Sequence, residues 1–336
     1  ISQGDVTLSN ATATSFTLGG AAGTDLTVAS GASLTIGTSM SIIIAPSSTA
    51  NISGTLTNRN IYNVGTTNTV TTVTGTIINY GGITNSSVTR LFFSSGGAYQ
   101  HALNGGIVPD ATWDVNSTCT ITGTTGTLPV ISANTQPFGN FTWNCPSQGN
   151  YLDLAGTLTS IDGNFSIVST NGWLIELSRS VSCNLRVKGN VSASGNLGIG
   201  SISLANTMTV DGNFDQTGGV VYICPAGGNA TLNVGGNFSS AGTFNFTFTG
   251  YPATAVLNVT GDLSITAGTF NMSNTSSTGT LNLGGDFTHS GGAITESSTG
   301  NGSIIFNGSG TQLYTSGGTI SNAINFTVNS GSTLQM

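Results

Sequence analysis

An all-β fold, a right-handed parallel β-helix (solenoid) with about 22–26 residues per coil, is what this sequence predicts, and three observations predict it. First, one motif recurs: Leu185-Arg-Val-Lys-Gly-Asn-Val191, Met208-Thr-Val-Asp-Gly-Asn-Phe214, Leu232-Asn-Val-Gly-Gly-Asn-Phe238, Leu257-Asn-Val-Thr-Gly-Asp-Leu263 and Leu281-Asn-Leu-Gly-Gly-Asp-Phe287. Second, the shared glycines Gly189, Gly212, Gly236, Gly261 and Gly285 are separated by 23, 24, 25 and 24 residues. A fixed period in the twenties marks a solenoid. Third, apolar and polar residues alternate inside each repeat, as in Thr231-Leu-Asn-Val234, which is the period of a strand with one buried face. Right-handedness follows from the crossover preference of parallel strands.

Each element of a repeat has its own reason. The Leu-x-Val segment is a strand. The Gly-Asn or Gly-Asp pair interrupts it, and both residue types tolerate positive φ, so the pair is read as a sharp corner. The aromatic or aliphatic residue that follows re-enters the core. After a polar gap comes a further short strand, Gly242-Thr-Phe-Asn-Phe246, matched by Gly219-Val-Val-Tyr-Ile223 and Gly268-Thr-Phe-Asn-Met272. One repeat cannot bury its apolar face alone, so stacking must supply the core. The predicted inward columns are Ile161, Val187, Val210, Val234, Val259 and Leu283, and Phe165, Val191, Phe214, Phe238, Leu263 and Phe287. A polar column of Ser166, Ser192, Asp215, Ser239, Ser264 and Thr288 runs beside the second.

The array divides into three segments. Residues 1–97 are looser coils, with Gly31-Ala-Ser-Leu34, Gly54-Thr-Leu56 and Gly75-Thr-Ile77 in corresponding places. There the apolar run Ser41-Ile-Ile-Ile-Ala-Pro46 reads as a strand buried on both sides or a coil-to-coil crossing. Residues 98–150 break the rhythm, as irregular coils or a loop excursion. They hold Trp113 and Trp143, two of the three tryptophans, and two of the four cysteines. Residues 151–336 are regular repeats, and the pattern is expected to continue beyond Met336.

Composition excludes several function classes. The chain has 336 residues, 49 of them Gly, with only 5 basic and 12 acidic side chains and a net charge of −7. Five cations are too few to track phosphates, so no nucleic-acid partner is expected. No apolar run reaches the ~18 residues of a spanning helix, so no membrane insertion is expected either. The cysteines form no Cys-x-x-Cys pair, which argues against a metal site. Cys119 and Cys145 lie 26 residues apart, about one coil. They would then stack and pair as a disulfide, or else fill a core column as buried thiols. Calcium-binding nonapeptides, phosphate loops and nucleophile elbows are absent from the sequence, and no cofactor is expected.

In the irregular segment, Asn104-Gly-Gly-Ile-Val-Pro-Asp-Ala-Thr-Trp-Asp-Val-Asn-Ser-Thr-Cys-Thr-Ile-Thr-Gly123 with Phe138-Gly-Asn-Phe-Thr-Trp-Asn-Cys-Pro146 resembles a segment of large β-strand-repeat cell-surface proteins of Bacteroidota. The Val-x-Gly-Asn-Phe repeats resemble their repeat arrays. The resemblance implies a secreted or cell-surface protein exported by type IX secretion, and carries over no catalytic residue.

Three functions are therefore expected in order. The first is a non-enzymatic structural or adhesin-type segment located outside the cell or on its surface. The second is a carbohydrate-binding or polysaccharide-cleaving β-helix with its site in residues 98–150. The third is a cargo or accessory subunit of a larger surface or secretion complex. Partners are accordingly glycans or other surface and secretion proteins. Trp113, Asp114 and Trp143 are the candidate ligand contacts, the rings stacking on sugars if exposed and packing under a loop otherwise. No catalytic set is expected. Asp162, Asp211, Asp262 and Asp286 sit at corners, where turns favour Asp. Asp110 and Asp114 with His101 form the one conceivable acid–base group. Glu176 and Arg179, following Trp173, read as a surface ion pair.

Overall fold

The computed structural model describes residues 1–20, 23–132, 137–200, 205–248, 252–297 and 301–336. They form a β-solenoid of short parallel strands, and there is no helix among them. Two compact units divide the chain, Ile1–Gln148 and Gly149–Met336.

In the second unit each coil contributes one strand to each of three sheets. The first sheet holds Asn184–Val187, Ala205–Val210, Gly228–Val234, Ala253–Val259, Thr278–Leu283 and their neighbours. Its register aligns Ile161, Val187, Val210, Val234, Val259 and Leu283. The second sheet aligns Phe165, Val191, Phe214, Phe238, Leu263 and Phe287. Both columns are those the motif predicts, and all twelve side chains are buried. The predicted polar column pairs beside the second in the same register. The third sheet stacks Leu152, Ile175, Leu197, Val221, Phe244 and Phe270. Phe214 lies on Phe238 with centroids 5.2 Å apart, and Phe244 on Phe270 at 5.1 Å. Burial of such rings along each column is the main force holding the coils together.

The corners differ from the expectation. None of Gly189, Gly212, Gly236, Gly261 and Gly285 has positive φ. Their backbones instead stack directly, Gly236 N–H donating to Gly212 O at 2.9 Å and Gly261 N–H to Gly236 O at 3.0 Å. A Cβ on Gly236 would lie 2.2 Å from Asn213 Oδ1 and 2.8 Å from Gly212 O. Glycine is required by close approach between coils, not by a left-handed conformation.

The residue after each glycine builds a second ladder. Asn190 N–H donates to Asn164 Oδ1 (2.8 Å), Asn213 N–H to Asn190 Oδ1 (2.8 Å) and Asn237 N–H to Asn213 Oδ1 (2.9 Å). Asp262 N–H donates to Asn237 Oδ1 (2.9 Å), Asp286 N–H to Asp262 Oδ1 (2.9 Å) and Leu313 N–H to Asp286 Oδ1 (2.8 Å). Each short side chain thus satisfies a backbone donor one coil further on, which is why the position accepts Asn or Asp alone in this run.

In the first unit one sheet runs Asp5–Leu8, Ser33–Ile36, Thr55–Asn58, Thr76–Asn79, Ala98–His101, Thr118–Ile121 and Asn140–Asn144. The irregular stretch therefore supplies coils with ordinary parallel pairing. Met40–Ile44 corrects the reading of the apolar run: Met40, Ile42 and Ile44 are buried while Ser41 and Ile43 are half-exposed. It is a strand with one buried face. A buried polar chain crosses this core. Asn58 Nδ2 donates to Asn79 Oδ1 (2.7 Å), Asn79 Nδ2 to the Tyr99 hydroxyl (3.1 Å), and that hydroxyl meets His101 Nδ1 at 2.9 Å. His101 Nε2 lies 2.6 Å from Gly105 O. That carbonyl can only accept, so Nε2 carries the proton and Nδ1 accepts from Tyr99.

Candidate functional site

Of the residues singled out in 98–150, Trp113, Trp143 and His101 face inward, while Asp110 and Asp114 are half-exposed. Trp113 is stacked on Phe93 at 4.2 Å and 8°, 5.2 Å from Phe138, and only 8% exposed. Trp143 is fully buried and its Nε1–H donates to Gln148 Oε1 at 3.0 Å. Neither ring offers a face to a ligand. Asp114 Oδ1 accepts the Asn116 N–H at 2.8 Å, an Asx turn. His101 belongs to the buried chain above, and burial lowers its pKa.

Of the two readings of Cys119 and Cys145, the buried thiols hold and the disulfide does not. Cys119 and Cys145 are both buried and unbridged. Cys119 stacks on Phe141, 22 residues on, while Ile121 stacks on Trp143. Coils are shorter here than in the repeats, so a 26-residue separation overshoots the stacking position and Cys145 falls elsewhere. Cys145 Sγ instead lies 3.4 Å from Ile121 O.

The surface feature that stands out lies on the third sheet of the second unit. A cleft of about 540 Å³ is lined by Tyr151, Trp173, Arg179, Tyr222, Pro225 and Phe248, with Leu174, Asn196 and Val220 among its other residues. Trp173 is 46% exposed and Phe248 43%. Trp173 follows a tight turn in which Asn171 (φ 51°) and Gly172 (φ 79°) are left-handed, the residue types that tolerate it. Its N–H donates to Thr170 O at 2.9 Å. Tyr222 packs edge-on against Phe248 at 5.6 Å. Gly198 stands between Glu176 and Tyr222 in the sheet. A Cβ there would meet Pro225 Cγ at 3.1 Å and Glu176 Cγ at 3.2 Å.

One end of the cleft is braced by charge. Arg179 Nε–H donates to Glu176 Oε2 at 3.2 Å, and its guanidinium lies 4.2 Å from the Tyr151 ring centroid. The Tyr151 hydroxyl donates to the same Glu176 oxygen. Asp153 Oδ1 accepts the N–H groups of Ala155 (2.8 Å) and Arg179 (3.1 Å). The expected surface ion pair therefore exists but is only half surface: the Glu176 side chain is fully buried. Burial pushes its carboxyl up to about 7, against the opposing pull of Tyr151 and Arg179. Oε1 has no hydrogen-bond partner.

Elsewhere, a polar hollow of about 590 Å³ in the first unit is lined by Thr66, Thr67, Asn68, Thr69, Val70, Thr89 and Arg90. Arg90 there donates to Asn85 O and Thr66 O. The remaining cations are likewise engaged, Arg186 with Asp211, Lys188 with Asp162 and Arg59 over Tyr80. Among the described residues no three His, Cys, Asp or Glu side chains come together to hold a metal, and no helix is long and apolar enough to cross a membrane.

Sequence reasoning missed the cleft because its residues are scattered from 151 to 248 and converge only through stacking. The available signals were Trp173 itself and the Asn171-Gly172 turn that presents it. Comparison of the chain with family models, curated proteins and solved structures finds no match.

Proposed function

We propose that this chain is a non-enzymatic β-solenoid segment of structural, adhesin type, secreted or displayed at the cell surface. The resemblance to type IX secretion cargo of Bacteroidota points the same way. The observation that carries the reading is the corner ladder: six consecutive side-chain-to-backbone bonds in one register, on top of stacked glycine backbones. Such a lattice suits a stiff stalk, because each coil of that run in the second unit is tied to its neighbours by both core and corner. The acids support it too. Asp262 and Asp286 serve the ladder, Asp162 and Asp211 pair with cations, and Asp114 and Asp153 hold turns.

The test is surface proteolysis of intact cells that make the protein, followed by immunoblotting. Surface exposure with a long resistant fragment is expected. A protein confined to the cytosol would overturn the proposal, and recovery only in a stable complex with partner proteins would favour an accessory-subunit role.

A further inference from the structure

We propose that the cleft formed by Tyr151, Trp173, Arg179, Tyr222 and Phe248 is a binding subsite for a neutral glycan chain, with pyranose rings lying against its aromatic faces. The assignment rests on the adhesin-type reading for its biological setting and on the cleft alone for its chemistry.

Four aromatic rings line this cleft, in a protein whose largest aromatic side chains are otherwise mostly buried in columns. Trp173 and Phe248 keep nearly half their surface in water, although burying an aromatic ring is among the most favourable steps open to a fold. Polar groups sit beside the rings. The Arg179 Nη groups, the Trp173 indole N–H and the Tyr222 hydroxyl have no protein hydrogen-bond partner among the described residues. Apolar faces interleaved with unused donors match a sugar ring, which presents C–H groups on its faces and hydroxyls around its rim.

The groups are also held in place before any ligand arrives. Arg179 is fixed by Glu176, by the Tyr151 ring and through its own backbone by Asp153. Trp173 is set by its turn. Little side-chain freedom remains to be lost on binding.

Charge and topology select the ligand class. The Arg179 charge already faces the Glu176 carboxyl, with Asp153 close by, and the chain carries a net charge of −7. An acidic sugar would approach a chain of net negative charge, whereas a neutral one meets no such repulsion. A peptide adding as a strand has no edge to join, since Leu174–Glu176 is paired on both sides. Trp173 and Phe248 are carried on coils three strand spacings apart, about 14 Å, which is longer than one ring and calls for an oligosaccharide.

The experiment is calorimetric titration of the full chain with cellohexaose, mannohexaose, xylohexaose and, as the acidic comparison, hexagalacturonate. Tryptophan fluorescence is read in parallel. Trp173→Ala and Phe248→Ala are titrated beside it after circular dichroism has shown unchanged folding. Both positions are half-exposed, and either variant alone suffices if the other fails to fold. The expected result is saturable binding of at least one neutral hexasaccharide, weakened about tenfold or more by loss of an aromatic platform. Failure of all three neutral sugars to bind would overturn the proposal. So would binding unchanged in the variants, or binding of hexagalacturonate alone. None of these outcomes touches the surface-segment reading, which stands or falls on cellular location.

Discussion

Replacing Gly236 by Ala tests the close approach directly, because with φ outside the left-handed region an uncrowded glycine and one pressed against the preceding coil predict opposite signs. At a position with φ outside the left-handed region, Gly→Ala ordinarily stabilises by about 0.4–1 kcal/mol through the unfolded chain. Here the new methyl group would sit 2.2 Å from Asn213 Oδ1, 2.8 Å from Gly212 O and 2.9 Å from Gly212 C. Two of the three atoms are backbone of the preceding coil and cannot swing away. Overpacking of this kind costs about 1–3 kcal/mol, and displacing Asn213 Oδ1 from the Asn237 N–H adds about 1 kcal/mol. The net expectation is a loss of about 2–3 kcal/mol in the second unit, corresponding to a fall in its melting midpoint of about 4–12 °C. Urea and thermal unfolding followed by circular dichroism read this directly. Gly310→Ala is the internal control, since its Cβ would meet nothing within 4 Å and its φ is not left-handed; that variant should be neutral or slightly stabilised. A Gly236→Ala protein as stable as the parent would refute the close-approach account.

Three further outcomes are expected. Glu176 is protonated more readily folded than unfolded, its carboxyl being raised from 4.5 to about 7. The folded state then binds the extra proton, and this contribution to stability, on the order of 3 kcal/mol, is lost as pH rises across that window; Glu176→Gln should flatten the profile in urea unfolding. His101→Ala should destabilise the first unit by about 2–4 kcal/mol, by opening a cavity and breaking the Tyr99 and Gly105 bonds, as reported by the fluorescence of buried Trp113 and Trp143. Alkylation in denaturant without reductant should label both Cys119 and Cys145, with mass spectrometry finding no bridged peptide between them.

The solenoid was legible because its physics repeats. A Val or Phe that must lie on the equivalent residue of the next coil returns at nearly the same interval, so Val210, Val234 and Val259, or Phe214 and Phe238, can be aligned by eye and are aligned in space. What failed to read through were features set by distance between coils. The glycine at each corner looked like a conformational requirement, since the sequence cannot show how closely Gly236 approaches Gly212. Cys119 and Cys145 were placed by the mean period, but the local coil is shorter. Trp113 and Trp143 interrupt a monotonous text, which by itself leaves open a ligand patch or inward packing; burial in the core of less regular coils decides for packing. The aromatic cleft had the opposite fate. Tyr151, Trp173, Tyr222 and Phe248 share no motif and come together because five successive coils, four of them carrying one ring each, stack in one sheet.

The most direct measurement of the central claim is amide hydrogen exchange by NMR at the corner residues. Asn213, Asn237, Asp262 and Asp286 carry exposed side chains, and exposed loop amides ordinarily exchange fast. The ladder predicts that these four backbone amides are strongly protected, and that Asn213→Ala removes protection at Asn237 while leaving Asp286 protected. Rapid exchange at all four in the parent protein would contradict the stacked, side-chain-laced coil on which the account rests.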